Sequence, residues 1–196
     1  AKVRHREGDA AEAAALFEQA LEDYPESELA PEMLYDQAVA LSRAGSDQAD
    51  AVFEQFLAQH PERAQAAPAL YALIAAAHGR AEYERSVTLA DQFLRERNGH
   101  DLAPEIALLW AEGQYLRGHN DEALAGYDRA LGMELDAARA QQASFRRAMT
   151  LHRLGRYDEA RPALEAAARR ADEDELFRPA ILALGDGAFA QGDWAR

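Results

Sequence analysis

Gly118-His-Asn-Asp-Glu-Ala-Leu-Ala-Gly-Tyr-Asp-Arg-Ala-Leu131 decides how this chain folds, because the same stretch returns in altered form elsewhere. Residues 155–167 read Gly-Arg-Tyr-Asp-Glu-Ala-Arg-Pro-Ala-Leu-Glu-Ala-Ala, and residues 8–21 read Gly-Asp-Ala-Ala-Glu-Ala-Ala-Ala-Leu-Phe-Glu-Gln-Ala-Leu. In each copy a small residue follows the glycine by five positions, a bulky one stands four further on, and alanine comes three after that. Those offsets place all three on one face of a helix.

Outward from these copies, the turn residues Gly8, Gly45, Ala81, Gly118, Gly155 and Gly192 follow at intervals of 37, 36, 37, 37 and 37. The small residues Ala13, Ala49, Ser86, Ala123 and Ala160 keep intervals of 36, 37, 37 and 37, and the prolines Pro31, Pro68 and Pro104 keep 37 and 36. Each period therefore holds an A helix, with proline in its first turn in three repeats and none in the fourth, then a turn, and a B helix. A small residue near the middle lets two helix axes approach, and Phe17, Phe53, Tyr127 or Leu164 fills the space beside it. The pattern predicts an all-α stack of antiparallel helix pairs running through residues 1–196 as one solenoid. Complete repeats are expected at about 27–61, 64–98, 101–134 and 135–171, with partial repeats at 1–25 and 174–196.

Local detail follows from the same pattern. Ala1–Glu7 reads as the tail of a helix that ends at Gly8, after which Asp9 and Glu12 open a B helix burying Ala13, Leu16, Phe17, Ala20 and Leu21. Ser27 can cap the next helix, and Pro162 is expected to delay or bend the helix that holds it. The partial repeats predict a piece of a longer protein, with apolar faces at its ends that other chains could cover.

Composition agrees with helices and narrows the partner. Hydrophobic residues make up 48%, and alanine, leucine, glutamate and arginine dominate. Acidic residues outnumber basic ones 35 to 21, for a net charge of −14, which repels phosphate backbones and argues against nucleic acid. There is no cysteine, so disulfides and thiolate metal sites are excluded and redox gives no address. No run approaches the ~18 apolar residues of a membrane span, so membrane insertion is not expected of these residues.

Gly, a small residue five positions on, a bulky residue four beyond it and Ala-Leu after three more together resemble the tetratricopeptide repeat, across essentially the whole chain. Trp110 stands where leucine is usual in that repeat, and Ala90 replaces its aromatic. The resemblance implies a right-handed superhelix, a protein or peptide partner and no enzymatic activity. The long period, the openings Ala30-Pro31-Glu32 and Ala103-Pro104-Glu105, and the passage Leu21–Glu32 are similar to tetratricopeptide proteins of the bacterial envelope, such as the Tol-Pal partner and outer-membrane assembly lipoproteins. A periplasmic or envelope-associated location is implied, with the cytoplasm as the alternative.

Residues that could carry chemistry are sparse. The six histidines, at 5, 60, 78, 100, 119 and 152, make no His-x-x-x-His or Glu-paired zinc spacing. Asp172–Glu175 lacks the alternating loop of a calcium site and reads as a solvated linker. Gly185-Asp186-Gly187 has neither the strand nor the lysine of a phosphate loop and reads as close packing. Neither a metal nor a cofactor is expected.

In the family resembled, A helices line the concave side, so A-helix residues turned away from their own B helix are the ligand candidates. Two columns keep the repeat interval: Tyr35, Tyr71, Leu108, Phe145 and Leu182, and Ser42, His78, Tyr115, His152 and Phe189. Their aromatic content suits a binding surface, which predicts a groove built from Tyr35, Tyr71, His78, Leu108, Tyr115, Phe145, His152 and Phe189. A helical phase one residue off would instead place the first column in the core. Glu32, Glu105, Glu112 and Asp186, set among Arg43 and Arg153, make that groove mildly acidic and favour a partner with apolar anchors and some Lys or Arg. The expected function is a non-enzymatic scaffold for a peptide or protein segment. Its alternative is a structural solenoid that self-assembles through its terminal repeats.

Overall fold

The computed structural model describes residues 2–169 and 176–192, of which residues 2–8 are described by backbone alone. The predicted acidic linker Asp172–Glu175 lies outside the described residues. Among those described there are ten α-helices: α1 (Lys2–Asp23), α2 (Ala30–Arg43), α3 (Ala49–Gln59), α4 (Ala66–Gly79), α5 (Tyr83–Glu96), α6 (Ala103–Leu116), α7 (Asn120–Leu131), α8 (Ala137–Arg153), α9 (Tyr157–Ala168) and α10 (Phe177–Ala190). They form two compact units, Ala1–Leu73 and Ile74–Arg196, with the border inside α4.

In unit 1, α2 packs against both α1 and α3. In unit 2 each helix from α5 to α10 packs on the next, and α6 also touches α8, as α8 touches α10. Even-numbered helices from α2 onward are thus the A helices, and odd-numbered ones the B helices. The fold is all-α and built from consecutive pairs, as the repeat requires.

The turns between A and B helices have one chemistry. Gly45, Gly118, Gly155 and Gly192 adopt φ of 69°, 81°, 73° and 72°, and Ala81 adopts 61°. After α2 the Gly45 N–H donates to the Ser42 carbonyl at 3.1 Å and the Ser46 N–H to the Leu41 carbonyl at 3.0 Å. The paired bonds satisfy carbonyls that a helix end leaves open, and they recur after α4, α6 and α8. Pro31 and Pro104 sit in the first turns of α2 and α6, where a missing N–H costs nothing. Helix α8 has no proline there; the Asp136 carboxylate accepts from the Arg139 N–H at 2.9 Å instead.

The predicted small residues lie where pairs touch: Ala123, Ala160 and Ser86 are fully buried, and Ala49 nearly so. The Ser86 hydroxyl donates to the Ile74 carbonyl at 3.2 Å, so a polar side chain in the α4–α5 contact stays satisfied. Two closer approaches were not anticipated. A Cβ on Gly113 would stand 2.7 Å from Val87 Cγ2, and one on Gly126 would stand 2.7 Å from the Trp110 ring.

Four local expectations are corrected. There is no turn at Gly8: α1 runs unbroken from Lys2 to Asp23. Lys2–Glu7 is short and mostly charged, so a hairpin there would bury little, whereas the following alanines favour continuation at a cost of ~1 kcal/mol for the interior glycine. Leu16, expected to be buried, is 61% exposed. Ser27 does not cap α2; its hydroxyl accepts from the Leu29 N–H at 3.2 Å and closes the preceding turn. Pro162 does not delay α9, which starts at Tyr157 and carries the proline inside.

Candidate functional site

The two predicted columns occupy positions of very different exposure. In unit 1, Tyr35 and Tyr71 are half-buried and Ser42 is exposed. The Tyr35 ring lies 6.0 Å from Phe53 and 5.5 Å from Phe56 between centroids, against its own B helix rather than away from it. Burial raises the Tyr35 hydroxyl above its ordinary range, and the neighbouring Asp36 adds to this.

In unit 2 the expected groove anchors Tyr115 and Phe145 are core residues, only 5% and 4% exposed. Tyr115 packs with Ala111, Ala123 and Tyr127, and Phe145 with Leu124, Ala148 and Leu164. Spacing fixed their position along the solenoid but not their azimuth on the helix. His78 and His152 are half-buried, each edge-on to its own B helix: His78 to Tyr83 at 5.4 Å and His152 to Tyr157 at 5.2 Å. His78 is held below its ordinary range by burial, a tendency that Glu112 opposes. Leu108 is half-buried, while Leu182 and Phe189 on α10 are 68% and 67% exposed. Within unit 2 the candidates are thus divided among core positions (Tyr115, Phe145), half-buried ones (His78, Leu108, His152) and the exposed Phe189.

The structure assembles a different feature on the A helices of unit 2. Glu105 and Glu112 stand seven positions apart on α6, and Arg139 and Arg146 stand seven apart on α8. Arg139 pairs with Glu105, and Arg146 with Glu112 at 3.3 Å, so two ion pairs cross between these helices. Glu112 also accepts from the Tyr127 hydroxyl at 3.0 Å. Desolvation, with Glu112 alongside, raises that hydroxyl far above its ordinary range, so it stays a donor at any physiological pH. The Arg153 guanidinium lies 3.6 Å over the Tyr115 ring and donates to the Tyr115 carbonyl at 3.1 Å. This is a cation–π contact worth ~0.5–2 kcal/mol.

The face is consequently less acidic than predicted, because Glu105 and Glu112 are paired with arginines that lie outside the two columns. A search for opposite charges one period minus three residues apart, 34 positions in both pairs, would have found them. Its side chains remain partly exposed, Glu105 at 27% and Arg139 at 50%. Carboxylates stand on its α6 side and guanidiniums on its α8 side, with the arginine-covered Tyr115 ring beside them.

A second concavity of about 390 Å³ opens between α9 and α10 beside the end of α8. Leu164, Ile181, Leu184 and Gly185 give it an apolar floor, and His152 and Arg161 a polar rim. Gly187 is packed against Tyr157, whereas Gly185 has open space beside it, so close packing accounts for only one of that glycine pair. Among the described residues no group of three or more His, Asp or Glu is placed to hold a metal ion, and no described helix is long and apolar enough to cross a membrane.

Residues 105–187 match one family described as tetratrico peptide repeat, and residues 1–27 and 32–63 match a second described as tetratricopeptide repeat. No protein of curated function matches the sequence. Among solved structures, YrrB, a tetratricopeptide repeat protein with an unusual peptide-binding site, is similar at 19% identity over 93% of this chain and 87% of its own, with a TM-score of 0.70. A tetratricopeptide repeat protein from Parabacteroides merdae is similar at 18% identity over 95% of this chain and 68% of its own, with a TM-score of 0.70. BtubC from P. vanneervenii is similar at 14% identity over 99% and 86%, with a TM-score of 0.68. At such identities the likeness is one of fold.

Proposed function

We propose that this chain, which is a tetratricopeptide repeat protein, is a non-catalytic scaffold that binds a peptide or protein segment along the α6–α8 face of unit 2. The crossed pairs Glu105–Arg139 and Glu112–Arg146, flanked by Arg153 on Tyr115, carry this reading. Apolar contacts already hold the helix pairs together, and exposed ion pairs add only ~0–1 kcal/mol each. Carboxylate oxygens and guanidinium N–H groups can each take more than one hydrogen bond, so these side chains can bond a partner as well as each other. The net charge of −14 disfavours acidic partners, so the segment proposed carries apolar side chains with some Lys or Arg. YrrB, with its peptide-binding site, supports a peptide as the class of ligand. The long repeat period and the Ala-Pro-Glu openings support a place in the bacterial envelope, on the periplasmic side.

Selection of peptides on the folded chain from a displayed library, followed by titration calorimetry, tests the site. Glu105→Gln and Arg139→Gln are each expected to weaken the selected peptides about fivefold or more, with the unfolding free energy in urea changing by less than ~1 kcal/mol. Peptides that bind both variants as tightly as the parent would withdraw this face as the site.

A further inference from the structure

In unit 2 the Arg129 side chain on α7 donates to the Leu94 carbonyl, in the last turn of α5, at 3.2 Å. A guanidinium thus satisfies one of the acceptors that a helix end leaves open. Counted from the small residue of each B helix, Arg129 stands six positions after Ala123, and Leu94 eight after Ser86. In unit 1 the same offsets from Ala49 and Ala13 give Gln55 and Leu21. Gln55 is shorter than arginine and brings no charge. Leu21 has the greater need of a donor, because the residue four beyond it is Pro25, which has no N–H.

Both residues line a concavity of about 380 Å³ within unit 1. Pro25, Pro31 and the buried Leu34 give it apolar walls against which an aliphatic stem can lie. Glu26, Gln55 and Gln59, all exposed, line it with side chains that carry acceptor oxygens. Helices α1 and α3 both end beside it, and the carbonyl ends of helices attract cations. Helix α2 begins there and would oppose a cation, but it carries Glu32 in its first turn.

We infer that this concavity receives an arginine side chain of a partner protein, whose guanidinium stands at the Leu21 carbonyl as that of Arg129 stands at Leu94. The stem lies along the prolines and Leu34, and the planar fork reaches the Leu21 carbonyl and the Glu26 carboxylate together, which the point charge of lysine does less well. The site belongs to unit 1 and shares no residue with the α6–α8 face.

Titration of the isotope-labelled chain with N-acetyl-arginine amide, followed by NMR of the backbone amides, tests the site. Saturable shifts are expected at residues 21–31 and 55–60, with the citrulline analogue, uncharged and of the same shape, binding about fivefold more weakly or less. Gln55→Arg supplies the guanidinium from within the chain and is expected to abolish the response, with helix content unchanged because the position is exposed. Glu26→Gln is expected to weaken binding about threefold. Shifts confined to other residues, those of α6 and α8 included, would overturn the assignment while leaving the α6–α8 face standing. A citrulline analogue that binds as tightly as arginine, or either variant binding as tightly as the parent, would overturn it as well.

Discussion

Ala81 holds the left-handed conformation that glycine holds at every equivalent described turn, with φ of 61°. Both turn bonds form around it, from the Ala81 N–H to the His78 carbonyl at 3.0 Å and from the Glu82 N–H to the Ala77 carbonyl at 2.9 Å, so the geometry is kept against the resistance of a Cβ. That resistance is ~1–2 kcal/mol, and glycine in its place would cost ~0.4–1 kcal/mol through the freedom it gives the unfolded chain. Ala81→Gly is therefore expected to stabilise the protein by roughly 0.5 kcal/mol, read as a higher urea midpoint at unchanged slope. A lower midpoint would show that the turn at Ala81 does not have this form. The position was legible because a turn is specified locally, by one residue and the interval to the next. The azimuth of Tyr115 was not: its ring is covered by Tyr127 and by Arg153 of the next A helix, and no local pattern reports on a covering residue one period away.

At the scale of elements, each helix pair is set by how closely its axes approach. The alanines at 123 and 160 reveal this from spacing alone, since a repeated small residue has no other common cause than contact. Gly126 does not repeat, so its role became evident only from the Trp110 ring lying where its side chain would be. Gly126→Ala improves helix propensity by ~1 kcal/mol but forces a methyl into the α6–α7 contact, where overpacking costs ~1–3 kcal/mol. Net destabilisation of about 1 kcal/mol is expected in urea unfolding, and a stabilised variant would mean that Trp110 moves aside at little cost. The same balance explains why α1 ignores Gly8. A break there would expose helix ends for a hairpin with little to bury, and a continuous helix pays only the propensity of one glycine.

For the molecule as a whole, composition and period were enough for an all-α stack of helix pairs, because every repeat states the same packing problem and gives the same answer. The binding face was less legible. A repeat fold uses many of its aromatics to fill the space between pairs, so an aromatic column along the A helices does not mark a binding face, and the polar ladder of Glu105, Glu112, Arg139 and Arg146 breaks the repeat interval by three residues. That offset is what lets charges on the successive A helices α6 and α8 reach each other, and it makes the ladder particular to this part of the chain. The direct test is amide hydrogen exchange on the chain with and without a selected peptide at saturating concentration. Slower exchange in α6 and α8, with α2 and α3 unchanged, is the expected result; protection confined to α2 and α3, or to α10, would contradict the assignment of the binding face.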